Sequence, residues 1–106
     1  MTTLTFYKKS DMFVGFECSG HTEYAEYGSD ILCASISTVT QFVVMFAQKH
    51  LKLNLDISVD DECGYIKALS NEIDIQFNNQ IDILYEIAKT YKQDFSEYIT
   101  LKISEV

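Results

Sequence analysis

The chain has no arginine, no proline and no tryptophan, and only four glycines, three cysteines and two histidines in 106 residues. Without arginine it lacks the planar fork that grips phosphates and guanine edges, and its net charge of −8 repels them; both argue against a direct nucleic-acid partner. No apolar run is long enough to cross a bilayer. The opening residues, Met1-Thr2-Thr3-Leu4-Thr5-Phe6-Tyr7-Lys8-Lys9, lack the basic-then-apolar order of a secretory signal. An odd number of cysteines at irregular spacing makes no disulfide framework and points to a reducing cytoplasm. No linker, repeat or low-complexity tract divides the sequence, so residues 1–106 read as one domain.

What is present is an ordinary globular composition, 47% hydrophobic, with its acidity placed unevenly. Residues 1–53 hold five acidic side chains and four lysines, whereas residues 54–106 hold eleven and four. Such a surface suits solubility and is compatible with a basic partner.

The hydrophobic pattern gives the order of elements. Residues 3–7 and 12–19 are rich in Phe, Val, Thr and Tyr around Lys8-Lys9-Ser10-Asp11, which reads as a β-hairpin. In its second strand Met12, Val14, Phe16 and Cys18 would share one face, and Gly20 ends it. A loop over residues 21–30 follows. Residues 31–50 contain neither Pro nor Gly and place Leu32, Ile36, Val39, Val43, Phe46 and His50 at helical spacing. Leu51, Leu53, Leu55, Ile57 and Val59 then alternate with polar residues as in a half-buried strand, and a turn through Cys63 and Gly64 returns a partner over 65–69. Ser70 or Asn71 is the expected cap of a second helix reaching about residue 91, with Ile73, Phe77, Ile81, Leu84, Ala88 and Tyr91 on its apolar face. Residues 98–103 alternate as a last strand. The order ββαββαβ predicts an α+β domain: a mixed or antiparallel β-sheet with two helices packed on one face.

The chemistry-bearing residues cluster in one stretch. His21 follows a strand end and Cys33 falls in the expected first turn of the helix. A thiol there lies among unpaired backbone N–H groups at the positive end of the macrodipole, which favours the thiolate. A nearby imidazole that takes and returns the proton completes the minimum apparatus of a cysteine hydrolase. The opposing reading is an inert, half-buried thiol and a loop histidine that never meet.

The segment Gly20-His21 … Tyr24-Ala25-Glu26-Tyr27-Gly28-Ser29-Asp30-Ile31-Leu32-Cys33-Ala34-Ser35-Ile36-Ser37 resembles the signature of the ribosomal-processing cysteine proteases, the Prp family. That signature is Gly-His-Ala, a short loop ending in Gly-x-Asp, a hydrophobic pair, Cys-Ala, and a Ser four residues after the Cys. Thr22 departs from it, standing where the family has Ala. Chain length and element order extend the resemblance over nearly the whole sequence. It implies an endopeptidase that removes the N-terminal extension of the precursor of large-subunit ribosomal protein 27, with Cys33 as nucleophile and His21 as general base and acid. It also implies a homodimer.

The supporting positions stay open between roles. Asp30 either caps the helix or orients His21. Ser37, one turn after Cys33, either bonds the thiolate or His21 or bonds back to the Cys33 carbonyl. Backbone N–H groups at the helix start are the expected oxyanion donors. Gly20, Thr22, Tyr24, Tyr27 and Gly28 are the candidates for a loop over the substrate.

No cofactor is implied. Cys18, His21 and Cys33 give half of a zinc ligand set, and Cys63 or His50 would have to complete it from distant segments, so no metal is expected. Cys63, in an acidic turn, is expected to have a raised thiol pKa, and His50 to sit at a helix C-terminus. Two alternatives separate by experiment: a non-catalytic peptide-binding paralogue tolerates loss of Cys33 and His21, and a redox sensor forms a Cys18–Cys33 disulfide.

Overall fold

A computed structural model describes residues 2–20, 27–60 and 65–106, and for 27–33 the backbone alone. The hairpin expected at the start of the chain is present. β1 (Thr2–Lys9) and β2 (Met12–Ser19) pair antiparallel. Ser10 and Asp11 turn between them with φ of 53° and 66°. Two successive left-handed residues are what a type I′ turn requires, and Asp tolerates that region better than most residues. After α1 (Tyr27–Lys49) come β3 (Leu55–Asp60), β4 (Tyr65–Ser70), α2 (Ile75–Asp94) and β5 (Ile99–Glu105).

The strands form one sheet in the order β3-β4-β2-β1-β5. All neighbours are antiparallel except β1 and β5, which are parallel, so the sheet is mixed. Its register stacks apolar residues across strands: Ile57, Ala68, Phe16 and Phe6 in one row, Val59, Ile66, Cys18 and Leu4 in the next. Both helices contribute to the same core as that face, α1 through Ile36, Val43, Val44 and Ala47, α2 through Phe77, Ile81, Leu84 and Ala88. Phe6, Phe16 and Phe77 are completely buried, and each contributes about 1.5–3 kcal/mol by leaving water.

The structure departs from the sequence pattern in five places. In β2 the register shifts opposite Tyr7 and Lys8, leaving Val14 as the extra residue of a bulge. Phe13 therefore turns to the core, packing on Phe6 and Tyr85 with ring centroids 6.0 and 5.8 Å away. Val14 is buried but outside the main cluster. The alternation at Leu51 and Leu53 belongs to the exit of α1 and not to a strand. His50 and Leu51 donate to the Phe46 carbonyl and Leu53 to that of Ala47, while Lys52 takes a φ of 55°; these bonds satisfy the last carbonyls of the helix.

α2 is capped by Asp74, whose Oδ1 accepts the Phe77 N–H at 2.9 Å. Ser70 instead closes β4, with its hydroxyl donating to the Glu72 carbonyl, so Ile73 lies outside the helix. α2 also runs to Asp94, past the expected residue 91. Finally, α1 starts at Tyr27, four residues before the expected Ile31. Tyr27, Gly28 and Asp30 thus belong to the helix and not to the loop. A single Gly there costs about 1 kcal/mol relative to Ala, while an acidic residue in the first turn is favoured by the dipole.

Candidate active site

The topology gathers one end of every element near the same end of the sheet. β1 starts there, β2 ends at Ser19, β3 ends at Asp60 beside Tyr65 of β4, and β5 starts at Ile99, the partner of Thr2. α1 leaves from the end at which β2 stops, and α2 arrives at the end from which β5 departs. His21 and Cys33 flank this corner in sequence.

Gly20 is the last described residue before His21, and its φ of 98° is a conformation that L side chains rarely adopt. Here the chain leaves β2, and glycine is what lets it turn. The Gly20 carbonyl accepts a hydrogen bond from Thr2 Oγ1 at 3.4 Å. The Thr2 N–H donates to the Tyr98 carbonyl at 2.8 Å, the Tyr98 N–H to Phe95 at 2.9 Å, and the Phe95 N–H to Tyr91 at 2.7 Å, closing the C-terminus of α2. Lys92 Nζ donates to the Ile99 carbonyl at 2.8 Å, placing a cation at the negative end of α2. The pairing of Thr2 with Gly20 carries no sequence signal, since Thr2 reads as one more β-forming residue at the start of a strand.

Cys33 is the seventh residue of α1 and Asp30 the fourth. The expectation of Cys33 in the first turn and Asp30 as N-cap is corrected accordingly: Asp30 lies inside the helix and does not flank it. The unpaired N–H groups of the helix start then fall a turn ahead of Cys33. The dipole's effect fades beyond the first turn, so position seven gains less from it than the expected first-turn position.

Ser37, one turn further on, is exposed, and its Oγ accepts from Gln41 Nε2 at 3.0 Å. The sequence did not single out Gln41, although its i,i+4 spacing from Ser37 is the signal. His21, Thr22, Tyr24 and Cys63 lie outside the described residues. Cys18 lies on the core face of β2, 9% exposed, and His50 follows α1 with its ring 5.1 Å from that of Phe46. No helix among the described residues is long and apolar enough to cross a membrane.

The opposite face of the sheet carries a separate polar group. Tyr65 Oη donates to Glu17 Oε1 at 2.6 Å, and Lys67 Nζ lies 5.2 Å from the centroid of the Tyr7 ring. The hydrogen bond to Glu17 pushes the Tyr65 phenol up to about 12. Burial first, and then the Glu17 charge, raises that of Tyr7.

A family model described as cysteine protease Prp matches residues 1–96. The class is therefore that of the cysteine proteases. The chain belongs to the Prp family. Its fold is similar to that of SMU.848 from Streptococcus mutans, with a TM-score of 0.86 and 23% identity over 100% of this chain and 99% of that one. It is equally similar to an essential ribosomal processing protease, Prp from S. aureus, in complex with a substrate peptide, with a TM-score of 0.87 and 22% identity over 98% and 100% of the two chains. The same S. aureus protease with a covalently linked product peptide gives a TM-score of 0.85 at 23% identity. Comparison with curated protein sequences gives no significant match.

Proposed function

We propose that this chain is a cysteine endopeptidase that removes the N-terminal extension from the precursor of large-subunit ribosomal protein 27 during ribosome maturation. The observation that carries this reading is the match to the cysteine protease Prp family over residues 1–96, taken with the intact Gly20-His21 … Cys33-Ala34 signature inside it. The related S. aureus protease is a ribosomal processing enzyme solved with a substrate peptide, which supports a peptide substrate for this one.

In this mechanism the Cys33 thiolate attacks the scissile carbonyl carbon, and the proton taken from the thiol resides on the His21 imidazole. Collapse of the tetrahedral intermediate breaks the C–N bond, and the imidazolium protonates the leaving amine. His21 then takes a proton from water, whose oxygen attacks the thioester and releases the acid and the free thiol. Asp30 and Ser37 support this pair, and Gly20, Thr22, Tyr24, Tyr27 and Gly28 surround the substrate. The enzyme works without a cofactor, in the cytoplasm, as a homodimer; its acidic surface suits a basic ribosomal precursor.

The test is incubation of the wild type, Cys33→Ala and His21→Ala with a peptide spanning the precursor's N-terminal junction. Site-specific cutting by the wild type alone is the expected result. Binding of the peptide by all three with no cutting would make the chain a non-catalytic peptide-binding relative, and the protease reading would fall.

A further inference from the structure

The solvent faces of the two helices are built differently. On α2 the exposed residues include Asp82, Glu86, Lys89 and Asp94, the charged surface expected of a helix that meets water. On α1 the exposed residues include Thr38, Gln41, Phe42, Met45 and Gln48. No residue from 31 to 48 is charged, although charged side chains make up 23% of the chain.

That uncharged face is also apolar at its centre. Phe42 and Met45 are 65% and 63% exposed, and their spacing puts them on the same side of the helix. The Phe42 ring stacks on that of Phe46 with centroids 6.3 Å apart, and Phe46 in turn meets the His50 ring. An aromatic side chain already held against its own helix loses little further freedom in a contact. The other exposed large apolar residues are Val59, Ile73, Ile75, Ile83, Ile103 and Val106, each within two residues of an Asp or Glu. For Phe42 the nearest acidic residues along the chain are Asp30 and Asp56.

Charge decides what such a face can take. Two copies of a chain with net charge −8 repel one another, so they can meet only where neither presents an acid. A basic partner would be drawn instead to the acidic second half of the chain, where α1 does not lie. The charges that α1 does hold stand near its ends, Asp30 in its first turns and Lys49 in its last. An antiparallel copy brings opposite charges and opposite dipole ends together, whereas a parallel copy opposes like with like. With 23 residues α1 is about 35 Å long, close to the 38 Å longest extent of the molecule.

We infer that the solvent face of α1, centred on Gln41, Phe42 and Met45, binds the same face of a second copy of this chain across a two-fold axis, the two helices running antiparallel. This surface presupposes the homodimer proposed above. The symmetry makes every contact reciprocal: Phe42 and Met45 of one copy fall opposite Gln41 and Thr38 of the other. Large side chains then meet smaller ones along the seam, as close packing of two helices requires.

Sedimentation equilibrium over a range of concentrations tests this with the wild type, Phe42→Glu, Met45→Glu and Ile83→Glu, each checked for folding by circular dichroism. Ile83 is as exposed as Met45 but lies on α2, so it controls for the added charge alone. The wild type and Ile83→Glu are expected to dimerise equally. Phe42→Glu and Met45→Glu should raise the dimer dissociation constant about a hundred-fold or more, because each puts two like charges across the seam. If Phe42→Glu does not fold, Met45→Glu decides. Dimers that persist unchanged in both α1 variants leave the homodimer standing and overturn this surface, as does an equal loss in Ile83→Glu. A wild type that stays monomeric at every concentration overturns the homodimer and this surface together, while cleavage of the junction peptide still decides the protease reading by itself.

Discussion

Asn78 Oδ1 accepts the backbone N–H of Phe13 at 2.7 Å, tying the first turns of α2 to the strand that carries the bulge. The bulge leaves backbone groups of β2 without a ladder partner, and a side chain from a helix sixty-five residues further on supplies one. Its consequence is the inward turn of Phe13 against Phe6 and Tyr85. Asn78→Leu is expected to destabilise the fold by about 1–3 kcal/mol, because a part-buried N–H is left unpaired. Asn78→Asp keeps an acceptor and should recover most of the loss. Thermal denaturation of the three proteins reads this directly, with Asn78→Leu melting several degrees below Asn78→Asp.

Gly15 sits beside the next strand so closely that a Cβ there would lie 2.4 Å from the Ala68 carbonyl oxygen and 2.9 Å from Leu69 Cα. Both obstacles are backbone, so no rotamer relieves them. β2 is the middle strand of five, and pushing it from β4 opens the sheet between Phe16 and Ala68, both fully buried. Gly15→Ala is expected to cost about 3 kcal/mol or more, at the upper end of what overpacking does. Urea denaturation would show it as a lower midpoint, and a midpoint equal to the wild type would refute the steric argument.

Much of this was legible from local pattern. Alternation in β1 and β2 and helical periodicity around Ile36–Val43 and Phe77–Ala88 are properties of short windows, and they gave the order of elements and the core face. The misread features depend on distant partners. Nothing near Val14 announces a bulge, because the group that stabilises it is Asn78. Leu51 and Leu53 alternate as a strand would, and only the bonds to Phe46 and Ala47 show them finishing a helix. Ser70, Asn71 and Asp74 are all good caps; where β4 stops pairing, at Ser70 opposite Leu55, decides among them. At the site, Gly20 was read correctly as the end of a strand, but Gly28-Ser29-Asp30 looks like a turn and is helix.

The Tyr65–Glu17 pair gives a prediction that is independent of the catalytic reading. With the phenol pushed up to about 12 from a usual 10.0, chiefly by its hydrogen bond to Glu17, the folded state holds this proton where the unfolded chain would release it. The sign follows: the contribution to stability is complete below pH 10 and is lost as the pH rises from about 10 to 12. Glu17→Gln keeps an acceptor but removes the charge, and should lower the Tyr65 titration. Tyrosinate absorbance across alkaline pH, with Tyr65→Phe to identify the band, measures both. A Tyr65 that titrates at its ordinary value in the folded protein would show the pair is open in solution.

Asp30 is where the change in the start of α1 has chemical weight. Were it the N-cap, replacing it would remove an acceptor from the helix start and cost about 0.5–2 kcal/mol. At the fourth position of α1 an acidic residue gains about 0.3–1 kcal/mol from the dipole, and orienting His21 is the role proposed for its carboxylate. The two arrangements separate in Asp30→Asn, which retains the shape of the side chain and loses the charge. The expected outcome is a melting temperature within a few degrees of the wild type together with at least about a ten-fold loss in kcat/KM, because an imidazole without its orienting carboxylate spends less time in the productive geometry. A loss of stability near 2 kcal/mol with cleavage unaffected at low temperature would mean that the carboxylate closes the helix after all, and that His21 is held by other groups.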